Sequence, residues 1–90
     1  MWIETPANYR LKGGAWSITL HLQEGEWTAL LWIEDYATEF PIGDGSMELS
    51  AVLAKAQEDC SNWLQRQAYF FMACADQIEQ IQGYSTRRKQ

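Results

Sequence analysis

The fold is decided by residues 16–33, which read WSITLHLQ, then EG, then EWTALLWI. In both runs apolar and polar residues alternate, a period typical of a strand with one buried face. The apolar positions are Trp16, Ile18, Leu20 and Leu22 in the first run and Trp27, Ala29, Leu31 and Ile33 in the second. Between the runs, Gly25 can adopt the positive φ that a tight hairpin needs. The stretch therefore predicts an antiparallel hairpin.

Further strands are predicted on both sides of this hairpin. Gly13-Gly14 is a second hairpin signal, which pairs Tyr9–Lys12 with the strand that begins at Ala15. After a turn at Glu34-Asp35 the alternation continues through Tyr36, Thr38 and Phe40. We expect Pro41 to end the pairing, because proline has no amide hydrogen to donate. The result is an antiparallel meander of three or four strands.

Residues 47–82 follow a different period, with apolar residues at steps of three and four, as in a helix with one apolar stripe. Ser46 is the expected N-cap, and Glu48 in the first turn would complement the helix dipole. Gly83 is a natural residue to follow the last helical turn. The predicted fold class is therefore α+β, with the meander followed by one long C-terminal helix that packs on one face of the sheet.

The predicted helix is longer than the sheet beside it. Its 36 residues would span about 54 Å, whereas an eight-residue strand spans about 27 Å. Residues 69–72 sweep roughly 300° around the helix, so one sheet cannot cover them all. Three arrangements could cover the distal half of the helix. The helix breaks near Asp59–Asn62 and folds back, its distal half packs against a partner chain, or residues 1–8 cover that half. For a homodimer, the self-association residues would be Trp63, Tyr69, Phe70, Phe71 and Met72.

Length and composition predict a single domain over residues 1–84 with a short basic flexible tail at 85–90. The hydrophobic share of 47% indicates a folded chain despite the net charge of −5. The two longest uncharged runs, between Lys12 and Glu24 and between Arg66 and Asp76, are far shorter than the roughly 20 residues of a membrane span. Residues 1–5 show no secretory pattern. We therefore expect no membrane association and a cytoplasmic location.

An acidic segment is the strongest indication of a binding surface. The 25 residues from Glu24 to Glu48 include seven carboxylates and no Lys or Arg. Solubility explains acidic turns but explains the lack of cations less well. The same segment places Leu30 and Trp32 on the open face of the sheet, and an aromatic side chain bordered by carboxylates is typical of a protein-binding patch. The predicted partner-binding residues are Glu24, Glu26, Leu30, Trp32, Glu34, Asp35 and Glu39.

Nucleic acid is the rival partner, because the chain ends in Arg87, Arg88, Lys89 and Gln90. Before residue 85, however, four basic residues stand against twelve acidic ones. Such a composition repels phosphate, and three cations on a terminal tail seldom form a specific site. We therefore expect a basic protein as the partner and disfavour direct nucleic-acid binding.

No pattern of residues predicts catalysis, a cofactor or a metal. One His and two Cys are too few for a structural zinc site, which needs four ligands. His21 falls on the polar face of a strand, where a hydrogen-bonding role is the commoner one. Cys60 and Cys74 would lie roughly 21 Å apart on one helix, too far for a disulfide, and are expected to pack in the core. An enzyme using Asp35 and Glu39 as acid and base has no geometric support in the sequence.

The order of elements resembles one known family. A strand meander leads through Gly43-Asp44-Gly45 into a helix that begins Ser46-Met47-Glu48-Leu49 and continues Leu53-Ala54-Lys55-Ala56. Over residues 15 to 60 this resembles the small antitoxin domains of the HicB type. The resemblance implies no functional residue for this chain.

Two functions are compatible with these features. The first is a non-enzymatic protein-binding module, such as an accessory, inhibitor or antitoxin-like factor, that presents an acidic and aromatic surface to a basic partner or imitates nucleic acid. The second is a structural or assembly subunit that works through self-association of its C-terminal helix.

Overall fold

The computed structural model describes the backbone of residues 1–88 and the side chains of residues 1–81. Five strands and one helix follow each other along the chain: β1 Ile3–Glu4, β2 Tyr9–Lys12, β3 Trp16–Gln23, β4 Glu26–Ile33, β5 Tyr36–Asp44 and α1 Leu49–Arg88. Each strand pairs antiparallel with the next, in the order β1-β2-β3-β4-β5. The predicted α+β meander with one long C-terminal helix is confirmed. The two-residue β1 is an additional strand that the alternation pattern did not predict.

The central hairpin has the predicted register. Ile18 lies opposite Leu31, and Leu20 lies opposite Ala29. Glu24 and Gly25 form the two-residue loop, with φ of 54° and 79°. Positive φ at both positions matches the right-handed twist of the flanking strands, as in the favoured two-residue hairpin turns.

Replacing Gly25 with Ala should lower the free energy of unfolding by about 1–2 kcal/mol, the usual cost of a left-handed conformation for a residue with a Cβ. The backbone angle alone is responsible, because no heavy atom lies within 4 Å of a Cβ built at this position. Urea denaturation of the purified variant measures the change.

The matched control is Gly14→Ala, where an added Cβ also meets open space but φ lies outside the left-handed region. We expect Gly14→Ala to leave stability unchanged or to raise it by up to about 1 kcal/mol, because Ala restricts the unfolded chain. Equal losses of unfolding free energy in the two variants would show that the left-handed backbone at Gly25 is not the cause.

The prediction that Pro41 ends the pairing is wrong. β5 continues to Asp44, with Pro41 opposite Thr28 and Gly43 opposite Trp27. A register shift between Trp27 and Thr28 accommodates the irregularity. The physical reason is the position of β5, since proline is tolerated on an edge strand and at a bulge, where a missing donor disrupts no second neighbour.

The helix begins two residues later than predicted, so Ser46 is not its N-cap. The first helical bond of the segment runs from the Val52 amide to the Glu48 carbonyl, at 3.0 Å. The Ser46 hydroxyl and amide both donate to the Asp44 side chain instead. Both hydrogen bonds lower the pKa of Asp44, and the bond from the Ser46 hydroxyl contributes more than the bond from the amide. A turn closed by Asp44 therefore joins β5 to α1.

The core lies between one face of the sheet and the first part of α1. We call this side of the sheet the core face and the other side the outer face. The helix contributes residues four positions apart, which form a single stripe. The buried side chains are Leu11, Ile18, Leu20, Ala29, Leu31, Ile42, Val52, Ala56 and Cys60. In addition, the Trp2 indole donates to Gln57 Oε1 at 2.9 Å.

Along the chain two compact units are distinguished, Met1–Cys60 and Ser61–Gln90. The prediction of one domain over residues 1–84 stays a prediction. α1 is continuous from Leu49 to Arg88, so the predicted break near Asp59–Asn62 is not present. The helix also includes the first four residues of the predicted tail, while residues 89–90 lie outside the described part of the chain.

Of the three arrangements left open for the distal aromatic residues, the two that cover them within the same chain are not observed. Phe70 is 60% exposed and Phe71 is 63% exposed. A fold-back of the helix would have buried them, and residues 1–8 instead supply β1 at the edge of the sheet. Packing against a partner chain stays a prediction.

Candidate partner-binding surface

The outer face of the sheet is open and carries a mixed set of side chains. Leu30 is half-buried and lies between Thr19 on one side and Glu39 on the other. Trp32 is two residues further along β4 and is 41% exposed. The structure therefore brings together Leu30, Trp32 and Glu39, three of the predicted partner-binding residues.

The other four predicted residues divide between the two ends of β4. Glu34 and Asp35 form the loop that follows Trp32, whereas Glu24 and Glu26 lie at the opposite hairpin. An eight-residue strand separates the two ends by roughly 27 Å. The acidic residues are therefore not one continuous patch, and of these four only Glu34 and Asp35 lie at the end of β4 that carries the exposed Trp32.

Two cations share the outer face with the acidic residues. The segment from residue 24 to residue 48 contains no Lys or Arg, but β2 supplies both from elsewhere in the chain. Arg10 lies opposite Thr19 and Lys12 lies opposite Ser17. Ser17 in β3 also lies opposite Trp32 in β4, so Lys12 and Trp32 lie on either side of the same residue. Pairing between distant segments produced this arrangement, so the local run of acidic residues could not predict it.

Two shallow hollows meet at the end of the sheet that carries the Glu34-Asp35 loop. The first, of about 360 Å³, is lined by Lys12, Gly14, Ala15, Trp16, Ser17, Trp32 and Glu34. The second is lined by Ile33, Glu34, Asp35 and Tyr36. Glu34 borders both hollows. We call this region the hairpin-end surface and define it as Lys12, Trp16, Trp32, Glu34, Asp35 and Tyr36.

Three members of the hairpin-end surface were absent from the predicted set, namely Lys12, Trp16 and Tyr36. Trp16 and Tyr36 follow the alternation of the core face, yet they are 37% and 57% exposed. The buried residues of β3 and β4 lie in the middle of these strands, and β5 is buried only at Ile42, so core-face residues at the Glu34-Asp35 end of the sheet reach solvent. Their position beside the Gly13-Gly14 and Glu34-Asp35 turns was the signal that could have identified them.

The remaining reactive side chains do not form a cluster. Cys60 is 2% exposed, and burial together with neighbouring Asp59 raises the pKa of its thiol to about 11. Cys74 and His21 are half-buried, and neither cysteine forms a disulfide. Among the described residues, no group of three or more His, Cys, Asp or Glu side chains is arranged to hold a metal ion.

The predicted self-association residues lie in the second unit, on α1. Tyr69 is 75% exposed and Met72 is 64% exposed, and the rings of Phe70 and Phe71 are in contact at a centroid distance of 5.9 Å. Trp63 is half-buried. Within the part of the chain that is described, no helix combines the length and the apolar character needed to cross a membrane.

Comparison of the chain with protein-family models, with curated proteins and with solved structures finds no match. The likeness to antitoxin domains of the HicB type therefore rests on the order of elements alone.

Proposed function

We propose that this chain is a small, non-enzymatic binding protein whose hairpin-end surface takes a basic segment of a partner protein. The observation that carries the proposal is the exposure of Trp32 and Trp16, at 41% and 37%, around a hollow bordered by Glu34. Large exposed aromatic side chains are the residues most often found at the energetic centre of protein interfaces.

The chemistry of the surface favours arginine and lysine side chains. The face of an indole ring attracts a cation, most strongly when the cation is arginine. The carboxylates of Glu34 and Asp35 can accept paired hydrogen bonds from one guanidinium group. Lys12 lies on the other side of the hollow and repels a cation there. A basic segment would therefore bind with its charges toward the Glu34-Asp35 loop.

An acidic protein of this kind suits an accessory, inhibitory or antitoxin-like role in the cytoplasm. Its net charge of −5 speeds encounter with a basic partner through long-range attraction. By occupying the basic surface of that partner, it would compete with nucleic acid for the same site. The two free cysteines are compatible with a reducing compartment.

The test is a titration of intrinsic tryptophan fluorescence with a hexa-arginine peptide at near-physiological salt. We expect Trp32→Ala and Glu34→Asn each to weaken binding about tenfold, which corresponds to ~1.4 kcal/mol. Asn tolerates the left-handed backbone at position 34, where φ is 54°, so the turn should stay intact.

The matched control is Glu24→Asn, which removes one carboxylate at the same φ of 54° in the opposite hairpin. It should change the affinity less than twofold. Equal weakening by Glu24→Asn and Glu34→Asn would show that net charge alone attracts the peptide, and the proposed surface would then be discarded.

Self-association through the distal part of α1 is the second candidate function, with a homodimer as the product. The observation in its favour is the exposure of five large apolar side chains in residues 70–81, namely Phe70, Phe71, Met72, Ile78 and Ile81. Apolar surface of this extent on a small protein usually marks an interaction site.

A further inference from the structure

A regular apolar spacing runs through the distal part of α1. Six residues recur at steps that alternate between three and four: Leu64, Gln67, Phe71, Cys74, Ile78 and Ile81. All six belong to the helical second unit. Steps of three and four in strict alternation define a heptad repeat, in which Leu64, Phe71 and Ile78 occupy the a positions and the other three residues occupy the d positions.

We call these six residues the seam. We propose that the seam of one copy pairs with the seam of a second copy, so that the two helices form a parallel, two-stranded coiled coil. The inference rests on the proposed self-association and specifies its partner, its residues and its direction. Three features of the helix carry it: the area left exposed along the seam, the residues at its margins and the single polar residue within it.

The exposed area is large enough for a dimer. Phe71, Ile78 and Ile81 are 63%, 58% and 75% exposed, and Phe70 beside them is 60% exposed. A fully buried aromatic side chain covers about 150–250 Å², so Phe70 and Phe71 can each lose roughly 90–160 Å² on pairing, and the two isoleucines about 100 Å² each. The total of about 900 Å² for both copies corresponds to a weak, reversible dimer.

The margins of the seam favour close approach. The flanking e and g positions hold Trp63, Ala68, Phe70, Ala75 and Gln77, none of which is charged. Two copies in parallel register therefore bring no like charges together across the interface. The charged residues of the segment, Arg66, Asp76 and Glu79, all lie at positions outside the seam.

The polar residue in the seam selects the parallel direction. In a parallel pair each d residue faces its own counterpart, so Gln67 meets Gln67 of the second copy and the two amides can hydrogen-bond to each other. In the antiparallel pair that keeps the same seam, Gln67 would face Ile78 and its amide would be buried without a partner. A single polar core residue commonly specifies register in this way.

The first test is a concentration series by sedimentation equilibrium on the full chain. We expect a dimer whose dissociation constant rises at least tenfold in Phe71→Ala. Gln80→Ala is the matched control, because Gln80 is exposed, lies on the same helix, and occupies a position outside the seam and its margins; it should change the constant less than twofold. Equal effects of the two variants would overturn the proposed seam.

The second test uses Cys74, which would face Cys74 of the second copy within disulfide range. Mild oxidation with copper phenanthroline should give a covalent dimer that is lost in Cys74→Ser and reduced in Phe71→Ala. Cys60, at 2% exposure, should not contribute. A reversible dimer without the Cys74 cross-link would overturn the parallel direction and leave self-association standing. A monomer throughout the series would overturn both.

Discussion

A Leu20→Ala variant is expected to lose about 3–5 kcal/mol of unfolding free energy, the upper part of the range for buried leucines. Leu20 is fully buried on the core face, and its cross-strand neighbours are Ala29 on β4 and Tyr9 on β2. Because Ala29 has only a methyl group, it cannot fill the cavity that the substitution leaves. Small proteins are stable by only about 5–15 kcal/mol in total, so the variant should approach the unfolding threshold. Urea and thermal denaturation followed by circular dichroism measure the loss.

Leu22→Ala is the control for this prediction. Leu22 lies on the same strand and the same face, but it is 50% exposed. Removing its side chain should cost about 1 kcal/mol or less, because much of its surface is already in water. Similar losses in the two variants would contradict the position of the core along β3.

Ala56→Glu is expected to destabilise the protein by about 3–5 kcal/mol, the usual cost of leaving a charge buried and unpaired. Ala56 is fully buried, between Val52 and Cys60 on the stripe of α1 that faces the core. A larger side chain would also force the helix away from the sheet, at a cost of roughly 1–3 kcal/mol. The free energy of unfolding in urea, measured at neutral pH, is the readout.

Ala51→Glu introduces the same charge one turn earlier on the same helix. Ala51 is exposed and lies in the first turn, where a carboxylate interacts favourably with the helix dipole. Lys55 is four residues further along and can pair with it. We expect stability to stay within about 0.5 kcal/mol of the parent. A loss as large as that of Ala56→Glu would contradict the assigned core stripe.

The strand pairing could be predicted because two local signals agreed, namely the alternation of apolar residues and Gly25 at the turn between them. Alternation placed Ile18, Leu20, Ala29 and Leu31 on one face, and all four are buried there. A one-residue slip in register would have moved all of them into water. β1 carried no comparable signal, since both of its residues are exposed and only its pairing with β2 defines it.

The helix was predictable in type, but not in its start, in its end or in the exposure of its distal part, since it continues past Gly83 to Arg88. Ser46 has the chemistry of an N-cap, but Asp44 accepts hydrogen bonds from its hydroxyl and amide. Such competition between neighbouring polar groups depends on backbone geometry that the sequence does not specify. Of the three arrangements left open for Phe70 and Phe71, the two that cover them within one chain are not observed, and packing against a partner chain stays a prediction.

The candidate surface was only partly predictable, because it combines residues from four strands. Trp32, Glu34 and Asp35 are neighbours in sequence and were identified together. Lys12 and Trp16 join them only through the register of β2 and β3. A local run of acidic residues gives the charge of one strand and its turns. The charge of a sheet face depends on every strand that contributes to it.

Pro41 on the edge strand has a consequence for the fate of the protein at high concentration. An open sheet edge presents unpaired main-chain groups that can recruit strands from other molecules, the first step toward fibrils. A proline and an adjoining bulge in β5 interrupt that template. The opposite edge ends in a strand of only two residues. Both edges of the sheet are therefore poor templates for amyloid-like growth.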